Sequence, residues 1–83
     1  MEIAPNPTRD FVLLSFVPTT TGISTITLSD MDGKKVSEIN NGVCKAGNKY
    51  VRRIDVSRFP AGVYLVQLRG VDKTTVKKII VSR

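Results

Sequence analysis

Polar turn clusters interrupt this chain about every 8–12 residues, and nothing between them repeats with a helical period. That spacing leaves room only for short strands and fits an all-β sandwich or barrel. Val, Ile and Thr fill the segments, as pleated, half-buried surfaces favour. Pro5-Asn6-Pro7 opens the chain with two residues that lack an N–H donor. It therefore reads as a rigid extended lead-in or turn, not a central strand. The first strand is expected at about Asp10–Val17, stopped by Pro18 and Thr19-Thr20-Thr21-Gly22. The second runs about Ile23–Ser29, with Ile26 and Leu28 alternating against Thr25 and Thr27, the pattern of a half-solvated sheet.

Asp30-Met31-Asp32-Gly33 reads as a hairpin turn in which Asp-Gly supplies positive φ. A third strand follows at about Lys34–Ile39, and Asn40-Asn41-Gly42 turns the chain again. Val43–Lys45 is expected as a short strand ended by Ala46-Gly47-Asn48. The next strand, about Lys49–Val56, puts Tyr50, Ile54 and Val56 on one inward face. Arg52 shares that parity and is expected at the rim with its head in water. Ser57-Arg58-Phe59-Pro60-Ala61-Gly62 forms a corner, with Pro60 pre-setting φ at the second turn position. Val63–Arg69 then carries Tyr64, Val66 and Leu68 on one face, and Gly70-Val71-Asp72 turns it. The last strand, about Thr74–Ser82, has Ile79 and Val81 on one face and Val76 and Ile80 on the other.

These seven short antiparallel strands predict a small immunoglobulin-like β-sandwich with no substantial helix. Tyr64 begins a strand just after a corner, as a tyrosine-corner residue does, and the backbone partner of its hydroxyl is expected within Asp55–Phe59. With one Cys and no Trp, the chain lacks the marks of an antibody-type domain. Eighty-three residues suffice for one core, with little room for an enclosed active site. The longest apolar runs, such as Phe11-Val12-Leu13-Leu14, are far too short to cross a bilayer. Met1-Glu2-Ile3 lacks the basic start and apolar core of a secretory signal.

Histidine is absent, so a Ser or Cys nucleophile lacks its usual base. The chain is read as a non-enzyme without cofactor. Zinc has no ligand set. Asp30 and Asp32 before Gly33 resemble the start of a calcium loop, but the remaining ligands and the closing bidentate Glu are missing, so they read as a turn. The single Cys44 reads as a small apolar residue in or beside a strand.

The formal net charge is +6, and Lys73, Lys77, Lys78 and Arg83 close the chain without an acid among them. Such a patch suits nucleic acid, an acidic protein surface or anionic lipid head groups, or simply guards an edge strand. A single-strand nucleic-acid binder needs aromatic platforms among its basic residues, and the basic end has none. No nucleic-acid partner is therefore expected. The chain stops on a strand-like, β-branched and basic run, which suggests sheet pairing, recognition as a signal, or both.

Taken in order, four motifs complete the reading: Pro5-Asn6-Pro7; Asp30-Met31-Asp32-Gly33-Lys34; Ile54-Asp55-Val56-Ser57-Arg58-Phe59-Pro60-Ala61-Gly62-Val63-Tyr64; and Lys77-Lys78-Ile79-Ile80-Val81. Together they resemble the type A C-terminal sorting domain of the type IX secretion system of Bacteroidetes-type Gram-negative bacteria. The resemblance covers about Ala4 to Arg83. It implies a domain without chemistry of its own, covalently preceded by a cargo. That cargo passes through the periplasm and across the outer membrane to the cell surface or medium. The implied partners are an outer-membrane shuttle protein and a surface sortase that usually removes the domain. The family's signal maps onto Gly62, Val63, Tyr64, Lys77, Lys78, Ile79, Ile80, Val81, Ser82 and Arg83. Pro5, Asn6, Pro7, Asp30, Gly33, Asp55 and Pro60, with Gly62 and Tyr64, are the structural motif residues.

On this reading residues 1–9 are an extended lead-in and 10–83 the sorting domain. The last strand would bind by strand addition, with Lys77, Lys78 and Arg83 aiding orientation. The same edge gives an expectation of self-association. The rival function is an immunoglobulin-like accessory module with an adhesive or carbohydrate-binding role, which requires an exposed aromatic platform.

Overall fold

Strands with one apolar face must bury it against a second layer, and here they do so as two antiparallel sheets. The computed structural model describes residues 1–83 as β1 (Glu2–Ala4), β2 (Phe11–Phe16), β3 (Gly22–Asp30), β4 (Lys35–Cys44), β5 (Tyr50–Asp55), β6 (Gly62–Arg69) and β7 (Thr74–Val81). One sheet has the order β1-β2-β5 and the other β4-β3-β6-β7. The chain crosses between sheets after β2, β4 and β5. That is an immunoglobulin-like arrangement in which the fourth strand sits beside the third.

Alternation along the strands, seen in the sequence for β3, β5, β6 and β7 and in the structure also for β2, places the core. Val12, Leu14 and Phe16 of β2 and Ile54 and Val56 from the β5 side face Ile26, Leu28, Cys44, Tyr64, Val66, Ile79 and Val81 of the larger sheet. Fully burying such a side chain is worth about 1.5–3 kcal/mol, so this cluster is the main source of stability. Cys44 belongs to it, and its sulfur accepts a hydrogen bond from Ser24 Oγ at 3.1 Å.

The number of strands is as expected, but two are drawn differently. Val43–Lys45 is not a separate strand, and the third strand does not end at Ile39. Both belong to β4, which pairs with β3 from Lys35 to Cys44. Asn40-Asn41-Gly42 is a bulge within it. Thr25 opposes Asn40 and Ser24 opposes Gly42, leaving Asn41 as the extra residue. Gly42 has φ +67°, the conformation that suits a bulge as well as a turn.

Arg52 is half-buried, not free at the rim. Its Nε donates to Asn41 Oδ1 at 2.8 Å, and its guanidinium lies 5.7 Å from the Tyr50 ring centroid. The bulge residue thus gives an inward-parity arginine its partner.

The other difference lies in residues 1–9. Glu2–Ala4 forms β1, pairing Glu2 with Ser15 and Ala4 with Leu13. Thr8 is buried and bridges Val81 in parallel. The lead-in is therefore woven into both sheets.

Candidate recognition surface

The corner before β6 is built from local hydrogen bonds. One carboxylate oxygen of Asp55 accepts the Ser57 N–H at 2.9 Å and the Ser57 hydroxyl at 2.6 Å. Phe59 N–H donates to the Val56 carbonyl at 3.0 Å. These bonds favour the charged carboxylate, so the Ser57 hydroxyl and amide, with Arg53 and Arg58 nearby, lower the Asp55 pKa below its ordinary value. A depressed folded-state pKa gives stability that is present above the ordinary aspartate pKa and lost as pH falls through the folded value. NMR titration is expected to place the Asp55 carboxyl below the usual aspartate range. Ser57→Ala should move it back up.

Tyr64 closes the corner. Its hydroxyl donates to the Pro60 carbonyl at 2.6 Å, one residue beyond the expected Asp55–Phe59 window. Phe59 packs on its ring with centroids 5.5 Å apart. Tyr64→Phe removes the donor of a partly buried bond whose acceptor, on exposed Pro60, water can then reach, at a cost of about 0.5–1.5 kcal/mol. Chemical denaturation should read that loss as a lower midpoint with an unchanged slope.

At the β3–β4 hairpin, Asp30 Oδ1 accepts the amides of Asp32 at 3.0 Å and Lys34 at 2.9 Å. Gly33 takes φ +87° there. One carboxylate oxygen of Asp30 thus closes the turn that the sequence predicts.

The expected signal residues meet along β6 and β7, but not on one surface. Register sets Gly62 against Val81, Val63 against Ile80, Tyr64 against Ile79, Leu65 against Lys78 and Val66 against Lys77. Tyr64, Ile79 and Val81 point inward and are buried. Val63, Lys78 and Ile80 share the outward face, where Ile80 and Lys78 are exposed. Lys77 and Ser82 are exposed as well. Arg83 folds back, and its guanidinium donates to the carbonyls of Val56, Phe59 and Arg9. The single ion pair of the chain is Lys35–Glu38 at 3.1 Å, so Lys73, Lys77 and Lys78 have no carboxylate partner.

The sequence does not reveal what covers the outer edge of β7. Asn6 Oδ1 accepts the Ile80 N–H at 2.9 Å, and its Nδ2 donates to the Lys78 carbonyl at 3.1 Å. Thr8 N–H donates to the Ile80 carbonyl at 2.9 Å, and Ser82 N–H donates to the Thr8 carbonyl at 2.8 Å. Asn6 thus has a specific task, and Thr8 and Arg9 join the site without any sequence signal for it. All five aromatic rings are buried or half-buried, and nothing on the surface favours the accessory carbohydrate-binding reading.

Fold and surface together define a small immunoglobulin-like sandwich whose last strand presents unpaired lysines beside a partly covered edge. Residues 2–82 match the family model described as the secretion system C-terminal sorting domain, and the chain belongs to that family. Domains of this family are the C-terminal sorting signals of type IX secretion. The family is not a catalytic one, and it implies a type IX secretion system, a preceding cargo, and export to the cell surface or medium. No curated protein sequence matches the chain.

Proposed function

We propose that this domain acts by binding alone: an outer-membrane shuttle protein reads its last strand and carries a covalently attached cargo from the periplasm to the surface. A sortase then cuts on the N-terminal side of the folded domain, near or upstream of Met1. The observation that supports this reading best is the basic, unpaired rim of β7. Lys77 and Lys78 are exposed without a carboxylate partner, next to a strand edge. Charges placed so steer an encounter and fix its register while costing the fold little.

Among the expected signal residues, Lys77, Lys78, Ile80 and Ser82 touch the partner on this reading. Gly62 and Val63 shape the neighbouring strand, and Tyr64, Ile79, Val81 and Arg83 hold the surface in place. The test is Lys77→Glu/Lys78→Glu in the full precursor, expressed in a bacterium with this secretion system. Cargo should accumulate in the periplasm while the melting temperature of the isolated domain stays within a few degrees of wild type. Delivery at the wild-type level would refute the role given to the two lysines.

A further inference from the structure

Backbone groups of an edge strand alternate between the neighbour strand and the outside. In β7 the Ile80 N–H and carbonyl and the Lys78 carbonyl bond outward to Asn6 and Thr8, as does the N–H of Ser82 just beyond its end. By the same alternation Thr74 and Val76 also face outward, and Asn6 and Thr8 do not reach them. The edge is therefore divided. Its first half is open, with Val76 exposed and Lys73, Lys77 and Lys78 beside it. Its second half is covered by a short parallel placeholder, Asn6–Thr8, seated by four hydrogen bonds. Asn6 uses its side-chain amide where a true strand would use its main chain. Such a substitute fills the edge for only a few residues.

We infer that residues 6–8 are a displaceable placeholder for an extended strand of the receiving protein. That strand adds first along Thr74–Lys78 and then replaces Asn6 and Thr8 at Lys78–Ser82. It carries acidic side chains, since Lys77 and Lys78 lack any carboxylate in this chain. The 6–8 segment leads toward the residues that join the cargo. Displacement therefore links reading of the last strand to release of the junction beside it. This deepens, and rests on, the sorting function proposed above.

Two experiments test it, and one does not depend on sorting. By native-state hydrogen exchange on the isolated chain, the Ile80 and Ser82 amides should exchange about tenfold or more faster than those of Ile79 and Val81, which face β6. Equal rates would mean that the placeholder leaves only with global unfolding, and the inference falls. The second experiment is the double variant Thr8→Cys/Val81→Cys in the full precursor. Bridged neighbours come within disulfide reach, the periplasm favours the bond, and buried Cys44 stays out of it. The linked variant should hold more of its cargo in the periplasm than the same double variant kept reduced by added thiol, so that both arms carry the same packing changes and differ only in the link. Equal delivery by the linked and reduced forms overturns the inference. If the wild-type precursor itself is not delivered, the sorting reading fails, and exchange alone then decides the placeholder.

A third measurement addresses the occupant. Asn6→Ala should sediment as a monomer at all concentrations. A dimer would give the freed edge to a second copy and overturn the partner assigned here.

Discussion

Cutting the chain after Lys78 should abolish both cooperative folding and delivery of the cargo. The five residues removed include Ile79 and Val81, which are 0% and 1% exposed at the centre of the cluster. Truncating one such side chain to Ala costs about 1–5 kcal/mol depending on its size, and here two are deleted together with their backbone. The bonds from Thr8 to Ile80 and Ser82 go with them, as do those of Arg83 to Val56, Phe59 and Arg9. A domain of this size holds about 5–15 kcal/mol in total, so the sum approaches or exceeds the whole. Circular dichroism should show no cooperative melt, and fractionation should find the precursor in the periplasm. A truncated chain that melts cooperatively would contradict the core assigned to β7. One that delivers cargo normally would contradict the sorting role of this strand. The two lysine substitutions complete the comparison, because they leave the core untouched and address only what a partner meets.

What the sequence discloses about this fold is whatever a few neighbouring residues settle among themselves. The shared parity of Ile26 and Leu28, or of Tyr64 and Val66, names the inward face directly, and the structure buries those positions. Asp30 and Gly33 settle their turn within five residues, since its hydrogen bonds close inside the segment. Asn40-Asn41-Gly42 is ambiguous for a physical reason: positive φ at Gly serves a turn and a bulge equally, and only pairing with β3 distinguishes them. Glu2–Ala4 is too short to show a period, so β1 appears only once β2 offers it an edge. The candidate surface divides in the same way. The basic rim and the Tyr64 corner are local and legible. The bonds from Asn6 to Lys78 and Ile80 join residues 72 and 74 positions apart, and no local pattern encodes them.

Ile79 and Ile80 offer a sharper separation of folding from recognition than any truncation, since identical side chains sit on opposite faces of one strand. Ile79 is fully buried opposite Tyr64, whereas Ile80 is 41% exposed opposite Val63. Ile79→Ala removes methylenes from a packed interior and leaves a cavity, so urea denaturation should show a loss of about 2–5 kcal/mol. Ile80→Ala sheds surface that water already reaches in part, and should cost less than about 1.5 kcal/mol, since its transfer term is incomplete and no enclosed cavity follows. Delivery should rank the other way once stability is matched. A stabilised background carrying Ile79→Ala should sort its cargo. Ile80→Ala should sort less well although it folds, because Ile80 lies on the outward face beside Lys78 where an added strand would pack. If Ile80→Ala proves the more destabilising of the two, the inward and outward faces of β7 have been assigned the wrong way round. If both variants sort alike at equal stability, the outward face of β7 is not what the secretion machinery reads.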